Sequence, residues 1–161
     1  MLKYKIDKLP DKTVKKIIFT KEYGREPNDK KINDKEYILE EDYGLIYQYS
    51  KKEKYLVVCK KGFVYNGFST DFLGIPRMLQ GKHTGAICAA LMHDADYCIH
   101  FSRNRSNADW NLLLTCKAYG YYWITRNLIY TGVKIGGWAV YGKKEKELIL
   151  NMKYIEIWRM K

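Results

Sequence analysis

Two different spacings of hydrophobic residues divide the chain. In the first 65 residues, short apolar runs alternate with polar turns, which is typical of β-strands. Residues 45–49 and 55–59 flank a short polar segment and are predicted to form the two arms of a β-hairpin, and residues 17–19 are a further candidate strand. The first part of the chain therefore predicts a small antiparallel sheet.

Beyond Pro76 the hydrophobic residues recur at about 3.6 positions, which indicates helices. The first helix is expected over 83–101. A second is expected to start near Ser106, which would be its cap, and to stop at Gly120. A third is expected over 122–134, and a fourth candidate begins near Lys143 and includes Met152.

Length and composition place these elements in one domain. The chain has 161 residues, of which 47% are hydrophobic, and this is enough to bury a core. With strands first and helices after them, we expect a single α+β domain over 1–161, with residues 1–65 mainly strands and 83–161 mainly three to four helices. No apolar run is long enough to cross a bilayer, and no secretory signal is recognised at the start, so we expect a cytoplasmic product.

The helical part contains a group of residues suited to proton transfer. His93 and Tyr97 are four positions apart and share one face of the first helix. If the first two helices fold back on each other, Asp109 comes near both. A carboxylate fixes the tautomer of an imidazole, so that its free nitrogen can take a proton from water. We therefore consider His93 as a general base, Asp109 as its orienter and Tyr97 as a supporting hydrogen bonder.

Two further aspartates could bind a metal ion. Asp94 follows His93, and Asp71 lies in the turn-rich segment 67–77. Carboxylate and carbonyl oxygens are the ligands that calcium and magnesium prefer. Metal-assisted hydrolysis is one interpretation of this set, and a buried polar network that holds the helices on the sheet is the other.

Two resemblances bear on these residues. The strings GFSTDFLGIPR (67–77), HDADY (93–97) and AD (108–109) resemble a family of uncharacterised proteins common in bacteriophages and prophages, over about 62–137. Members of that family usually carry serine where this chain has Gly74. The resemblance implies a phage protein that works in the host bacterial cytoplasm.

The second resemblance is shorter. The HDxxY pattern, followed by an aspartate on an antiparallel helix, looks like the active site of the secretory phospholipases. That resemblance implies that His93 activates water, Asp94 holds calcium, Tyr97 supports the site and Asp109 orients His93. The calcium loop of those enzymes is a glycine-rich turn, of which residues 72–76 are a poor match.

The charge suggests anionic partners. Lysine and arginine number 29 against 18 aspartates and glutamates, which gives a net charge of +11. Arg77, Arg103 and Arg105 are candidates for holding an anionic small molecule or lipid, since a guanidinium can bind phosphate with two hydrogen bonds. The dispersed lysines also fit an ordinary solvated surface.

A different class of function is open as well. A non-enzymatic phage protein would use a basic, aromatic surface to bind a host protein or ribonucleoprotein complex and block host defence, or would serve in virion assembly. The two classes differ in one structural expectation. An enzyme requires that His93 be reachable from solvent in a cleft, whereas a binding protein predicts a sealed His93 and an exposed basic, aromatic surface.

Overall fold

A computed structural model describes residues 2–33, 36–66, 84–136, 141 and 152–161. The elements in these ranges are β1 (Leu2–Ile6), β2 (Lys16–Phe19), β3 (Asp29–Lys31), β4 (Tyr37–Leu39), β5 (Tyr43–Ser50), β6 (Glu53–Cys59), β7 (Val64–Tyr65), α1 (Thr84–Ile99), α2 (Arg105–Ala118), α3 (Trp123–Gly136) and β8 (Ile155–Met160). Antiparallel sheets followed by three helices confirm the predicted α+β class.

The strands form two sheets. The larger has the order β1-β8-β6-β5-β2 and the smaller has the order β3-β4-β7, and all of the pairs are antiparallel. The predicted hairpin corresponds to β5 and β6, whose strands run slightly longer than the apolar segments suggested. Tyr47 and Val57, one on each strand, point into the core with almost no exposed surface.

The end of the chain differs from the expectation of a helical second half. Residues 155–160 form β8, which lies between β1 and β6 in the larger sheet. Ile155 and Ile157 are buried while Glu156 and Trp158 are partly exposed, and this alternation has the period of a strand. The fourth candidate helix near Lys143 falls largely outside the described residues.

The three helices begin and end close to their predicted positions, with one correction at the start of α2. The cap is Asn104, whose side-chain oxygen accepts a hydrogen bond from the backbone N–H of Asn107 at 2.9 Å, whereas the predicted cap Ser106 lies inside the helix. Asparagine is as good a cap as serine, so the sequence alone did not separate the two. At the other end, α2 stops before Gly120, whose φ of +83° favours glycine.

The helices pack against the larger sheet through α1 and α2, and Leu114 of α2 belongs to the buried cluster that includes the strands. Leu91 and Met92 of α1 belong to the same buried cluster as Leu45 and Val57 of the sheet. A second cluster joins all three helices and consists of Ala89, Leu112, Cys116 and Ile129. Helix α2 therefore connects α1 to α3. In the part of the chain that is described, no helix combines the length and hydropathy needed to span a bilayer.

The position of β8 makes a testable contribution to stability. Ile157 is 1% exposed and pairs with Ile6 on one side and Val57 on the other. Replacing it with alanine removes buried methylene groups and leaves a cavity, which typically costs about 2–5 kcal/mol. We expect Ile157→Ala to lower the free energy of unfolding by that amount in a urea titration.

Met152→Ala is the matched control, because Met152 lies just before β8 with half of its surface exposed. Its effect should stay within about 0.5 kcal/mol. Equal, small effects of the two substitutions would contradict the placement of β8 in the sheet.

Candidate functional site

A buried carboxylate lies where α1 and α2 fold back on each other. Oδ1 of Asp109 accepts a hydrogen bond from the Tyr97 hydroxyl at 2.6 Å and lies 3.1 Å from Nε2 of His93. The rings of His93 and Tyr97 have centroids 4.0 Å apart. The structure thus brings together the three residues that the sequence singled out for proton transfer.

Local geometry explains why these side chains meet. His93 and Tyr97 are separated by one helical turn on α1, so both point to the same side of the helix. Asp109 lies near the start of α2, and the short connection between α1 and α2 carries it back to that side. The connection contains two residues with positive φ, His100 at 52° and Arg103 at 69°, which reverse the chain direction tightly.

Arg105 was considered only as an anion binder, and the structure gives it a different set of contacts. Its Nε lies 3.4 Å from Oδ2 of Asp109, one helical turn away on α2. Its Nη2 donates to the backbone oxygens of Val133, at 3.2 Å, and Lys134 at the end of α3. Arg105 therefore connects the buried carboxylate to α3, and the spacing of four to Asp109 is a signal that sequence analysis could have used.

The contact with Asp109 indicates which ring nitrogen of a neutral His93 carries the proton. An ionised carboxylate only accepts hydrogen bonds, so Nε2 of a neutral His93 carries the proton and Nδ1 is the basic nitrogen. Among the described residues, no group forms a hydrogen bond with Nδ1. Burial, followed by the hydrogen bond to Asp109, raises the pKa of Tyr97 well above its usual range, so its hydroxyl stays protonated and donates.

The site is closed rather than open. His93 is 8% exposed, Tyr97 is 7% exposed and Asp109 is 1% exposed. The ring of Tyr141 packs edge-on against Tyr97, with centroids 4.9 Å apart, and stacks on His100 at 4.3 Å. Of the two expectations for His93, this degree of burial is nearer to the sealed histidine of a binding protein.

A second buried carboxyl group, Asp96, lies one turn from His93 and was not predicted to matter. Its Oδ1 accepts a hydrogen bond from the backbone N–H of Ser102 at 2.9 Å, and Asn111 donates to the Ser102 hydroxyl at 2.7 Å. Oδ2 of Asp96 and Oδ1 of Asn111 have no hydrogen-bond partner among the described residues. Burial raises the pKa of Asp96 to about 7, although Ser102 and His93 oppose the shift.

The predicted metal ligands are only partly described. Oδ2 of Asp94 accepts a hydrogen bond from the backbone N–H of Asn66 at 2.8 Å, directly after β7. Asp71 and Arg77 lie outside the described residues. Within the described ranges, no group of three or more histidine, cysteine or acidic side chains is arranged to hold a metal ion.

The two described candidate anion binders already have partners within the chain. Nε of Arg103 donates to the backbone oxygen of Leu9 at 2.7 Å, which ties the connection between α1 and α2 to the N-terminal segment. Arg105 contacts Asp109 and the end of α3. An anion that binds either guanidinium must share it with these groups.

The raised pKa of Asp96 predicts a pH dependence of stability. A carboxyl group in the unfolded chain has a pKa near 3.8, so between about pH 4 and pH 7 the folded state binds more protons than the unfolded state. The free energy of unfolding should therefore fall as the pH rises through this range. Asp96→Asn cannot ionise, and we expect it to flatten this slope in urea titrations and to be at least as stable as the wild type at pH 8.

Asp7→Asn controls for the change in net charge, because Asp7 lies at an exposed position. It should keep the wild-type slope. A slope that persists in Asp96→Asn would show that another group causes it.

Comparison with known proteins supplies a family without a function. No curated protein and no solved structure matches the chain. A family model described as a protein of unknown function (DUF1353) matches residues 44–133. This segment includes all but the first residue of β5 together with β6, β7, α1 and α2, and it therefore contains His93, Tyr97, Arg105 and Asp109. The expectation of an uncharacterised family is confirmed, and the chain belongs to the DUF1353 family of proteins of unknown function.

Proposed function

We propose that this protein is a small phage-type hydrolase that cleaves an ester or phosphate-bearing substrate in the host bacterial cytoplasm. The observation that carries the proposal is the contact of Asp109 with Nε2 of His93, which leaves Nδ1 as the basic nitrogen. The Tyr97 hydroxyl holds the same carboxylate oxygen and so fixes the position of the pair. Arg105 neutralises Asp109 from the other side.

The proposed reaction uses His93 twice. Nδ1 takes a proton from water while the water oxygen forms a bond to the carbonyl carbon or the phosphorus of the substrate. Asp109 stabilises the imidazolium that results. The bond to the leaving oxygen then breaks, and the imidazolium returns its proton to that oxygen, so that the neutral histidine is restored. The proposal requires that the substrate reach His93 through the 8% of its surface that is exposed.

The binding of calcium or magnesium by this protein stays a prediction. The described residues supply one carboxylate, Asp94, which already accepts the hydrogen bond from Asn66, and the second proposed ligand is Asp71. The reaction above does not depend on a metal ion. A bound cation would add positive charge beside the substrate and would favour an anionic one.

The proposal predicts how substitutions change activity. With p-nitrophenyl esters of increasing chain length and p-nitrophenyl phosphate as substrates, we expect His93→Gln to lower kcat by about 10²–10⁴-fold, the usual contribution of a general base. Asp109→Asn should also lower kcat, because an amide no longer stabilises the imidazolium. Far-ultraviolet circular dichroism of each variant would show whether the fold is kept.

His100→Asn is the matched control for His93→Gln. His100 has a φ of 52°, which asparagine tolerates, and its side chain is outside the contact with Asp109. The activity of the His100→Asn variant should equal that of the wild type. Undiminished hydrolysis by a folded His93→Gln variant would contradict the proposed role of His93.

The metal prediction has its own measurement. A cation that binds only the folded state raises the free energy of unfolding by about 2.7 kcal/mol at one hundred times its Kd. Thermal unfolding with calcium, magnesium or chelator should show a rise in Tm that is lost in Asp94→Asn and kept in Glu41→Gln, an exposed control. The same Tm in every condition would contradict a metal site.

A second candidate function is favoured by the low exposure of His93. In this alternative the protein acts by binding, and the network around Asp109 only holds α1 against α2. Removal of His93 would then leave a buried carboxylate with one hydrogen bond fewer, a loss that typically costs about 1–3 kcal/mol. Strong destabilisation by His93→Ala, which leaves no donor to Asp109, together with no turnover of any substrate by the wild type, would favour binding over catalysis.

A further inference from the structure

Helix α3 exposes a row of large apolar side chains that the core does not use. Ile124, Leu128 and Ile135 are each at least half exposed, and Trp123 at the start of the helix is 65% exposed. The spacings of four and seven place the three aliphatic residues on one side of the helix. We call Ile124, Leu128 and Ile135 the outer face of α3, and Trp123 lies at the start of the helix beside it.

The opposite side of α3 already contributes to the core. Ile129 is buried against Leu112 and Cys116 of α2, and Val133 packs against the same cluster. The helix is therefore apolar on two sides, and only one of them is needed for folding. Large apolar side chains grouped at a surface usually mark a contact with another molecule.

The positive charge around the outer face favours a negatively charged binding partner. No aspartate or glutamate occurs between Asp109 and Glu145, while Arg126 and Lys134 lie on α3 itself. The chain as a whole carries +11. A second copy of the chain would bring like charges together, so charge complementarity favours a negatively charged surface over self-association.

The shape of the face and its aromatic residues favour a lipid surface. In the part of the chain that is described, these apolar side chains lie along a single helix, and a fluid interface can adapt to such a ridge without a shaped pocket. Tyr122, which is 84% exposed, precedes Trp123 at the start of α3. Tyrosine and tryptophan concentrate at the level of lipid headgroups, and cationic amphipathic helices bind anionic bilayers in the plane of the interface.

We propose that the protein binds the surface of anionic phospholipid bilayers through the outer face of α3. The helix lies parallel to the surface, with Ile124, Leu128 and Ile135 at the boundary between headgroups and acyl chains. Lys134, which is exposed near the end of α3, contacts lipid phosphates. The proposed lipid contact uses none of the residues assigned to hydrolysis, so it can be tested independently of that activity.

The test is cosedimentation of the whole chain with vesicles. We expect binding to vesicles of phosphatidylcholine and phosphatidylglycerol at a ratio of 7:3, and at least tenfold weaker binding to phosphatidylcholine alone. Binding should also weaken as salt rises, because part of the attraction is electrostatic.

Two variants with unchanged net charge separate the proposal from simple attraction of a basic protein to an anionic surface. Ile124→Gln/Leu128→Gln removes part of the outer face and should weaken binding at least tenfold. Ile32→Gln, at an equally exposed isoleucine next to β3, should bind like the wild type. Circular dichroism would confirm that both variants are folded.

Three outcomes would overturn the proposal. The first is no binding to vesicles of either composition. The second is equal binding by the wild type and Ile124→Gln/Leu128→Gln, which would mean that charge alone is responsible. The third is a stable dimer in sedimentation velocity that Leu128→Gln dissociates, or saturable binding of an acidic protein at the outer face in place of vesicles, since either assigns the face to a different occupant.

Discussion

The described helices meet where one buried negative charge, the carboxylate of Asp109, must be compensated. A carboxylate as inaccessible as that of Asp109 is strongly destabilising unless charged or hydrogen-bonding groups surround it. His93 and Tyr97 supply such groups from α1, and Arg105 supplies one from α2 while it binds the last carbonyls of α3. The contacts of the two carboxylate oxygens of Asp109 thus fix the relative positions of three helices. They do so whether or not His93 and Asp109 also transfer protons.

A second carboxylate in the same helix pair is stabilised in a different way. Asp96 is as buried as Asp109, yet its Oδ1 accepts a hydrogen bond from the uncharged backbone N–H of Ser102, and its Oδ2 has no hydrogen-bond partner among the described residues. Asp96 binds a proton instead of contacting a cation, because neutralising the carboxyl group costs less free energy than burying its charge. The two aspartates differ in that Asp109 has the guanidinium of Arg105 beside it, one helical turn away on α2.

Sequence analysis succeeded where the relevant contacts are local. The period of the apolar residues located α1, α2 and α3, and the spacing of four placed His93 and Tyr97 on one side of α1. The approach of Asp109 followed from the short connection between two helices. The strand β8 and the contacts of Arg105 with α3 depend on segments far apart in the chain, and no local pattern specifies such pairings. The cap at Asn104 was missed because Asn104 and Ser106 have similar intrinsic preferences.

The arrangement of the larger sheet sets an order on folding. In that sheet β1 pairs with β8, and the contact between Lys5 and Glu156 spans 151 positions of the chain. During synthesis β1 therefore cannot pair with β8 until residues 155–160 have left the ribosome. The β5–β6 hairpin and the helices form from segments that are close together in the sequence. Until then the edge of β6 that receives β8 stays unpaired. An unpaired strand edge can pair with other chains, so the nascent protein is more prone to aggregation until β8 is added.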